Sequence, residues 1–509
     1  MEFIFGASLL RCRMRRAIPS PLMRSLSFKI DGSNGPLYAR VYQQLRAAIL
    51  SNRLKPGDRL PPTRQFAQEL NVSRNTILGA YQQLFAEGYI EALTRTGTFV
   101  ARALPEEMLE THVPASEITH QHLLLRPLSK RGRALVAKSP ANDFFSKPRP
   151  FRCATPDYPS FPFAVWARLM AKYSRNPSAD LLGYHYPAGH PRLRRAVASY
   201  LKSARAVRCE PEQVIIVPGT QIALDLAAHV LLDYGDVALV ENPAYFGVRG
   251  AFMRAGLRLA PVAVDSQGIS IQQLKKNRDT ARIVYVTPSY QFPLGITMSL
   301  ARRLELLDWA AKTRTWIFED DCAGEYRYQG RPIPALQGLD TKNCVIYAGS
   351  LSKLLFPSLR ISYLVPPPDL AESFIKARTM TDLHSSTVPQ VALADFIEEG
   401  HLARHLRRMR TLYSGRQACL LAAAKTELAG LLQIEERDTG MHLLGWLPSG
   451  VYDVAAAQAA SDHNVTVAPL SAFSFRRRPR GALVLGYAAF NEREIRDGIR
   501  SLKIALSKT

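Results

Sequence analysis

The chemistry of this sequence collects around Lys353. That residue closes the run Gly349-Ser350-Leu351-Ser352-Lys353, and Arg360 follows seven residues later. Asp320-Asp321 follow the strand-like run Trp316–Glu319, and Gly219-Thr220 follow Val214–Val217 and open a helical stretch. A Gly-Thr at a helix start, small hydroxyls and an arginine can together hold a phosphate, because they supply backbone N–H groups, O–H groups and a guanidinium. A carboxylate facing a cationic ring nitrogen, with a lysine able to form a Schiff base, suits pyridoxal phosphate. A lysine after two serines is ordinarily a surface lysine, and each piece is weak alone. Four pieces at separate strand ends argue for one site.

A second constellation lies near the N-terminus. Ser73-Arg74-Asn75-Thr76 places four hydrogen-bonding side chains on the first turn of an expected helix. Recognition helices read base edges with such residues: arginine pairs with guanine and asparagine with adenine. Arg64 on the preceding helix and Arg95 in the following loop suit phosphates or the minor groove. The plain alternative is a solvated helix start, since Ser, Thr and Asn are also ordinary caps.

These residues need elements to hold them. Leu37, Val41, Leu45 and Ile49 recur every four residues, as one helix face requires. Lys55-Pro56-Gly57-Asp58 interrupts, Phe66 and Leu70 mark a short second helix, and Ile77, Ala80, Tyr81 and Leu84 form the inner face of a third. Tyr89–Ala92 and Thr98–Val100 then read as two strands joined through Gly97. Three helices and a β-ribbon make a winged helix-turn-helix over residues 36–102. Residues 1–35 form a tail in which positive charges follow the apolar stretch, the reverse of a secretory signal; Met14 or Met23 are alternative starts. Residues 103–147, with Lys130, Arg131, Arg133 and Lys138, read as a linker. From 148 to 509, β-rich runs at 214–217, 237–240, 283–287, 316–319, 345–348 and 361–365 alternate with helical stretches. This is an α/β domain with a mostly parallel sheet, whose ligand belongs at the carboxyl ends of the strands.

The totals agree with this division. The 509 residues are too many for one ordinary core, and 47% hydrophobic with 21% charged residues exclude wholesale disorder. No apolar run is long enough to span a membrane. The net charge of +23 is densest in the first 150 residues, where a nucleic-acid partner is expected. Six scattered cysteines show neither zinc-knuckle nor redox-dithiol spacing, so no metal site is expected and a reducing cytoplasm fits.

Two resemblances carry these readings further. Leu60-Pro61-Pro62-Thr63-Arg64, Leu70-Asn71-Val72-Ser73-Arg74-Asn75-Thr76-Ile77, Gly88-Tyr89-Ile90 and Thr96-Gly97-Thr98-Phe99-Val100 resemble the GntR family of bacterial repressors. The resemblance implies double-stranded operator DNA as partner. It assigns DNA contacts to Arg64, Ser73, Arg74, Asn75 and Thr76, with Gly97 at the wing tip. A further arginine of some members is here Leu78. The remainder resembles the fold-type I aminotransferases, with a small subdomain from about residue 395. That implies pyridoxal 5'-phosphate as cofactor. Lys353 then matches the Schiff-base lysine, Asp320 the partner of the pyridine nitrogen, and Tyr245 the aromatic stacked on the ring. Gly219, Thr220, Ser350 and Arg360 match phosphate ligands. Tyr184 matches a tyrosine reaching the neighbouring subunit's phosphate, which implies a homodimer. The fusion resembles the MocR subfamily, which Thr287-Pro288-Ser289-Tyr290-Gln291-Phe292-Pro293-Leu294-Gly295 and Glu319-Asp320-Asp321 match more closely than they match free-standing aminotransferases.

Several positions depart from the pattern. Cys322 stands where the subfamily usually has tyrosine, Tyr290 where histidine is common, and Pro218 where aminotransferases often have serine. Val484 occupies the place of the arginine that clamps a substrate carboxylate, and the second such arginine of GABA-responsive relatives falls near Gly247. Arg476-Arg477-Arg478-Pro479-Arg480 lies just upstream as a possible substitute or as a solvated loop. The expectation is a transcriptional regulator whose aminotransferase-like domain senses an amine, an amino acid or pyridoxal phosphate itself through Lys353. The alternative is an active aminotransferase carrying a DNA-binding module.

Overall fold

The structure is a computed structural model that describes residues 35–93, 96–105, 127–137, 148–276, 280–330, 333–476 and 479–508. The chain divides into two compact units, Met1–Arg126 and Pro127–Thr509. Arg95, Lys138, most of the N-terminal tail and part of the stretch taken as linker lie outside the described residues.

In the first unit, helices α1 (Leu37–Leu50), α2 (Thr63–Leu70) and α3 (Arg74–Ala86) precede strands β1 (Ile90–Leu93) and β2 (Gly97–Val100). The strands pair antiparallel, from Ile90 opposite Val100 to Leu93 opposite Gly97. Val41, Leu45 and Ile49 of α1, Phe66 of α2, and Ile77, Ala80, Tyr81 and Leu84 of α3 share one core with Ile90 and Val100. Leu37 begins the four-residue repeat but is 42% exposed, because the first turn of α1 extends past that core. Asn71 adopts a left-handed conformation (φ 52°) and ends α2. Tyr81 Oη donates to the Pro61 carbonyl at 2.9 Å and ties α3 to the entry of α2.

The second unit is built on an eight-stranded sheet. Its strands are β3 (Ile215–Val217), β4 (Val237–Asn242), β5 (Arg258–Asp265), β6 (Gly268–Ile269), β7 (Ala281–Val286), β8 (Trp316–Asp321), β9 (Val345–Ser350) and β10 (Ser362–Val365). They lie in the order β3-β10-β9-β8-β7-β4-β5-β6. The central strands β9, β8, β7, β4 and β5 pair in parallel. The run 361–365 is expected to be parallel, but β10 is antiparallel to both β3 and β9. The short return through 351–361 explains this, since a parallel crossover needs about a dozen residues or more. A second sheet, entirely antiparallel, orders β11 (Gln433–Ile434), β12 (His442–Trp446), β14 (Ala482–Gly486) and β13 (Ala468–Pro469).

The stretch read as linker is structured in part. Helix α4 (Lys130–Val136) is capped by Ser129, whose Oγ accepts from Gly132 N–H at 2.9 Å. It packs on helix Phe246–Arg254 of the second unit, and Arg131 Nη1 donates to the Arg254 carbonyl at 3.2 Å. The described part of the basic cluster is therefore a docked helix. The short run of apolar residues, Leu135 and Val136, was too brief to show a periodicity. Among the described residues no helix is long and apolar enough to cross a membrane, and the five described cysteines are unpaired.

Candidate functional site

At the start of α3, Ser73 is the N-cap: its Oγ accepts from Thr76 N–H at 3.1 Å and lies 2.9 Å from Thr76 Oγ1. The pair expected to touch DNA thus spends hydrogen bonds on holding the helix end. Arg74 and Asn75 beside it, and Arg64 on α2, are exposed. Leu78 is 40% exposed, on the outer side of the same helix. Gly97 has φ 129°, and a Cβ there would meet Arg59 Nε at 2.9 Å. Arg59, not singled out from sequence, therefore lies along the wing, brought there by its bridge to Phe99.

In the second unit the expected residues converge from four strand ends. β3 ends at Val217, and Gly219 caps helix α5 (Thr220–Leu231). A Cβ on Gly219 would meet Arg360 Nη2 at 2.7 Å, so the guanidinium lies directly against the start of that helix. Helix dipole, Thr220 and Arg360 form a cationic cradle of the kind that holds a phosphate. Ser350 ends β9, and its Oγ is 3.0 Å from Ser362 Oγ on β10.

Asp320, near the end of β8, is 3% exposed and its Oδ2 accepts from Tyr285 Oη at 2.8 Å. Its Oδ1 is buried without a partner. Burial raises its pKa, and Lys353 opposes the rise. A carboxylate oxygen left unsatisfied in a closed site is costly, and a cationic ring nitrogen would satisfy it. Burial disfavours the Lys353 ammonium, yet nearby Cys322, Asp320 and Tyr245 hold its pKa above the usual lysine value. The Tyr245 hydroxyl is pushed up to about 12 by burial and feels Lys353, Asp320, Cys322 and Arg360. Gly247 makes room for the Tyr245 ring, whose Cε1 would lie 2.2 Å from a Cβ there. The residues present therefore fit a phosphorylated pyridine aldehyde.

Comparison with known proteins agrees with this geometry. Residues 37–100 match the family described as bacterial regulatory proteins, gntR family, and residues 154–502 match aminotransferase class I and II. A relative from Rhizobium meliloti, the probable rhizopine catabolism regulatory protein MocR, is 42% identical over 92% of this chain and 94% of its own length. The chain is a MocR-type regulator of the GntR family. The HTH-type transcriptional regulator TauR of Rhodobacter capsulatus is 32% identical over 78% of this chain and 81% of its own. The solved alpha-aminoadipate aminotransferase LysN of Thermus thermophilus, complexed with N-(5'-phosphopyridoxyl)-L-leucine, is 28% identical. It covers 75% of this chain and 95% of its own length, with a TM-score of 0.66.

Within this MocR-type chain the departures have definite surroundings. The Cys322 thiol lies 4.0 Å from Thr220 Oγ1, and burial pushes its pKa up to about 12, with Asp320 adding and Lys353 opposing. It is therefore a neutral neighbour of Lys353. Tyr290 Oη donates to the His442 carbonyl at 2.7 Å. Val484 is fully buried on β14. Tyr184 is not brought to the site by its own chain; it is 92% exposed, its ring 6.3 Å from that of His384.

The sequence reading missed three groups. Glu241 is buried on β4 and accepts from Thr287 Oγ1 at 2.7 Å and Gln291 Nε2 at 3.2 Å. Its pKa is pushed up to about 7 by burial. Arg303, also fully buried, donates to the carbonyls of Met298, Pro334 and Pro288 and so braces the 287–295 segment. Asp180, His185 and His190 bring one ligand atom each within 4.8 Å of one another. Asp180 is 80% exposed, however, and His190 Nδ1 already accepts from Arg192 N–H.

Proposed function

We propose that this regulator binds pyridoxal 5'-phosphate in the second unit and uses it to sense a small molecule, while the first unit binds operator DNA. The observation that carries this is the meeting of Arg360 with Gly219 at the start of α5, together with the buried, unpartnered Asp320 Oδ1 and an Asp320 near enough to Lys353 to raise its pKa. When bound, pyridoxal phosphate supplies an aldehyde that condenses with primary amines and an electron-withdrawing ring that absorbs visible light. Arg360, Thr220, Ser350 and the helix start would hold its phosphate. Asp320 would pair with the ring nitrogen, Tyr245 would lie on the ring, and Lys353 would carry the amine. The 92% exposure of Tyr184 supports a homodimer in which that hydroxyl reaches the partner's phosphate. A cytoplasmic location goes with operator binding.

Sensing also requires that the effector bind two states of the protein unequally. Arg74, Asn75 and Arg64, all exposed, are the side chains that would read and grip DNA. Residual transaminase turnover is the second reading, favoured by the retention of Lys353, Asp320, Tyr245 and Arg360 together.

The test is a titration of the purified protein with pyridoxal phosphate, watching visible absorption, for the wild type and Lys353→Ala. A protein-bound band that depends on Lys353 is expected; no band, or an unchanged band in the variant, overturns the reading. Multiple turnover of amino-acid and keto-acid pairs, lost in Lys353→Ala, would make the protein an enzyme as well.

A further inference from the structure

A second cavity, of about 520 Å³, opens elsewhere in the second unit. That volume lies within the roughly 300–1,000 Å³ usual for small-molecule sites. Its walls come from the end of helix Pro191–Arg205, the segment that follows β8, and helix His401–Glu427. None of Lys353, Asp320, Thr220 and Arg360 lines it, so it is separate from the cofactor pocket.

The cavity gathers arginines. The guanidinium of Arg205 is spent: Nε pairs with Asp321, and Nη1 reaches the Gly324 and Ile333 carbonyls at 3.5 and 3.4 Å. Three other arginines line the same cavity and are not spent in this way. Arg410 Nε donates to the Glu325 carbonyl at 2.7 Å, which leaves its two Nη groups without a hydrogen-bond partner among the described residues. Arg407 lies three positions earlier on the same helix face, and its guanidinium has no partner among those residues. Arg327 Nε is buried without a partner, and Nη2 is 3.8 Å from Oδ2 of Asp438, a carboxylate 56% exposed. A Cβ on Gly330, which also lines the cavity, would meet Arg327 Nη2 at 3.1 Å, so that guanidinium lies along the wall.

Among the described lining residues the one acidic side chain is Glu325. Its Oε1 accepts from Tyr200 Oη at 3.1 Å, and burial pushes its pKa up to about 7. Near neutral pH it offsets only part of one of the three positive charges. Guanidinium groups gathered in one concavity focus a positive potential, and an anion with several oxygens answers it with charge-assisted, bidentate hydrogen bonds. Leu406, Ala403 and Ile333 add apolar surface for the body of such a molecule.

We propose that this cavity is a second ligand site, for a small phosphate or phosphate ester held by Arg327, Arg407 and Arg410. The occupant is a free small molecule and not the backbone of DNA, because a duplex about 20 Å across does not enter a cavity of this size.

The experiment titrates the full-length protein with inorganic phosphate and pyrophosphate, by calorimetry and by thermal unfolding, against potassium chloride at equal ionic strength. Wild type, Arg360→Ala, Arg407→Ala and Arg410→Ala are compared. Pyrophosphate should bind with a Kd on the order of 1 mM or tighter. Binding should persist in Arg360→Ala, which disables the cofactor's phosphate cradle, and weaken about tenfold or more in Arg407→Ala and Arg410→Ala. Binding lost in Arg360→Ala places the anion in the cofactor pocket and overturns the proposal. Equal affinity in the Arg407→Ala and Arg410→Ala proteins overturns it, as does no binding beyond the chloride control. A short duplex of unrelated sequence is the last arm: if these two changes weaken duplex binding and leave pyrophosphate binding intact, the arginines serve DNA and the proposal falls. Should Arg410→Ala disturb the fold through its lost bond to Glu325, Arg407→Ala decides alone, since the Arg407 guanidinium holds nothing in place.

Discussion

Arg205 and Asp321 form an ion pair sealed inside the second unit, with Nε 2.7 Å from Oδ2 and side chains 5% and 0% exposed. Tyr347 Oη also donates to Asp321 Oδ2 at 2.8 Å, and Arg205 Nη2 donates to Ser289 Oγ at 2.7 Å. Burial alone would raise the Asp321 pKa, but Arg205 and these donors hold it below the usual range. The pair fastens the end of β8, one residue past Asp320, to helix Pro191–Arg205 and to the 287–295 segment. Arg205→Ala strands a buried carboxylate, so urea unfolding should show a loss on the order of 3–5 kcal/mol. A loss within the few tenths typical of surface changes would show that the pair carries no such load.

Gly219 faces the Arg360 guanidinium at a distance that leaves no room for a methyl group. Gly219→Ala should displace Arg360 and weaken pyridoxal phosphate affinity by about tenfold or more, the order expected for a disturbed charge-assisted hydrogen bond. Arg360→Ala should do the same, and the double variant should lose less than the sum of the two. Equilibrium titration of the visible band measures all three; additive losses would separate the two residues.

Ser73 and Arg74 are neighbours with different work. Ser73→Ala removes an N-cap and should cost about 0.5–2 kcal/mol of stability in the first unit. Arg74→Ala should leave stability nearly unchanged and cost about 1–3 kcal/mol in operator affinity. Thermal melts paired with gel-shift titrations at fixed salt separate them. An Arg74→Ala protein that binds operator normally would remove that residue from the contact set.

Glu241 is protonated more readily in the folded protein than in the unfolded chain, its pKa rising from 4.5 to about 7 through burial. Between those values the unfolded state releases a proton that the folded state keeps, so this group's stabilising share is full below pH 4.5 and is lost as pH rises through 7. Glu319 and Glu325 shift the same way. Glu241→Gln should therefore flatten part of the fall in melting temperature between pH 5 and pH 7.5. An unchanged slope would mean that Glu241 is ionised in the fold.

Much of both sites was readable before folding. The inner face of α3, the wing strands and the strand-end motifs at Gly219, Asp320 and Lys353 rest on local periodicity, which is short-range and survives in sequence. The roles of Ser73 and Thr76 were less readable, because a capping serine and a DNA-contacting serine are the same residue at the same position. Arg59 and Arg303 left no local signal: one is placed by a bridge to Phe99, the other by the carbonyls of Met298, Pro288 and Pro334, which lie 5, 15 and 31 positions away.

By itself the sequence determined which chemistry is available: a basic module opening on Ser73-Arg74-Asn75-Thr76, and a lysine, carboxylates, an arginine and a Gly-Thr at successive strand ends. Tertiary structure alone decided how that chemistry is enclosed. β10 turns antiparallel, Arg205 reaches Asp321 across 116 positions of chain, and Val484 is buried in an apolar cluster against which Phe292 and Phe246 pack. Such contacts follow from strand order and the packing of distant side chains, which no local pattern of residues encodes.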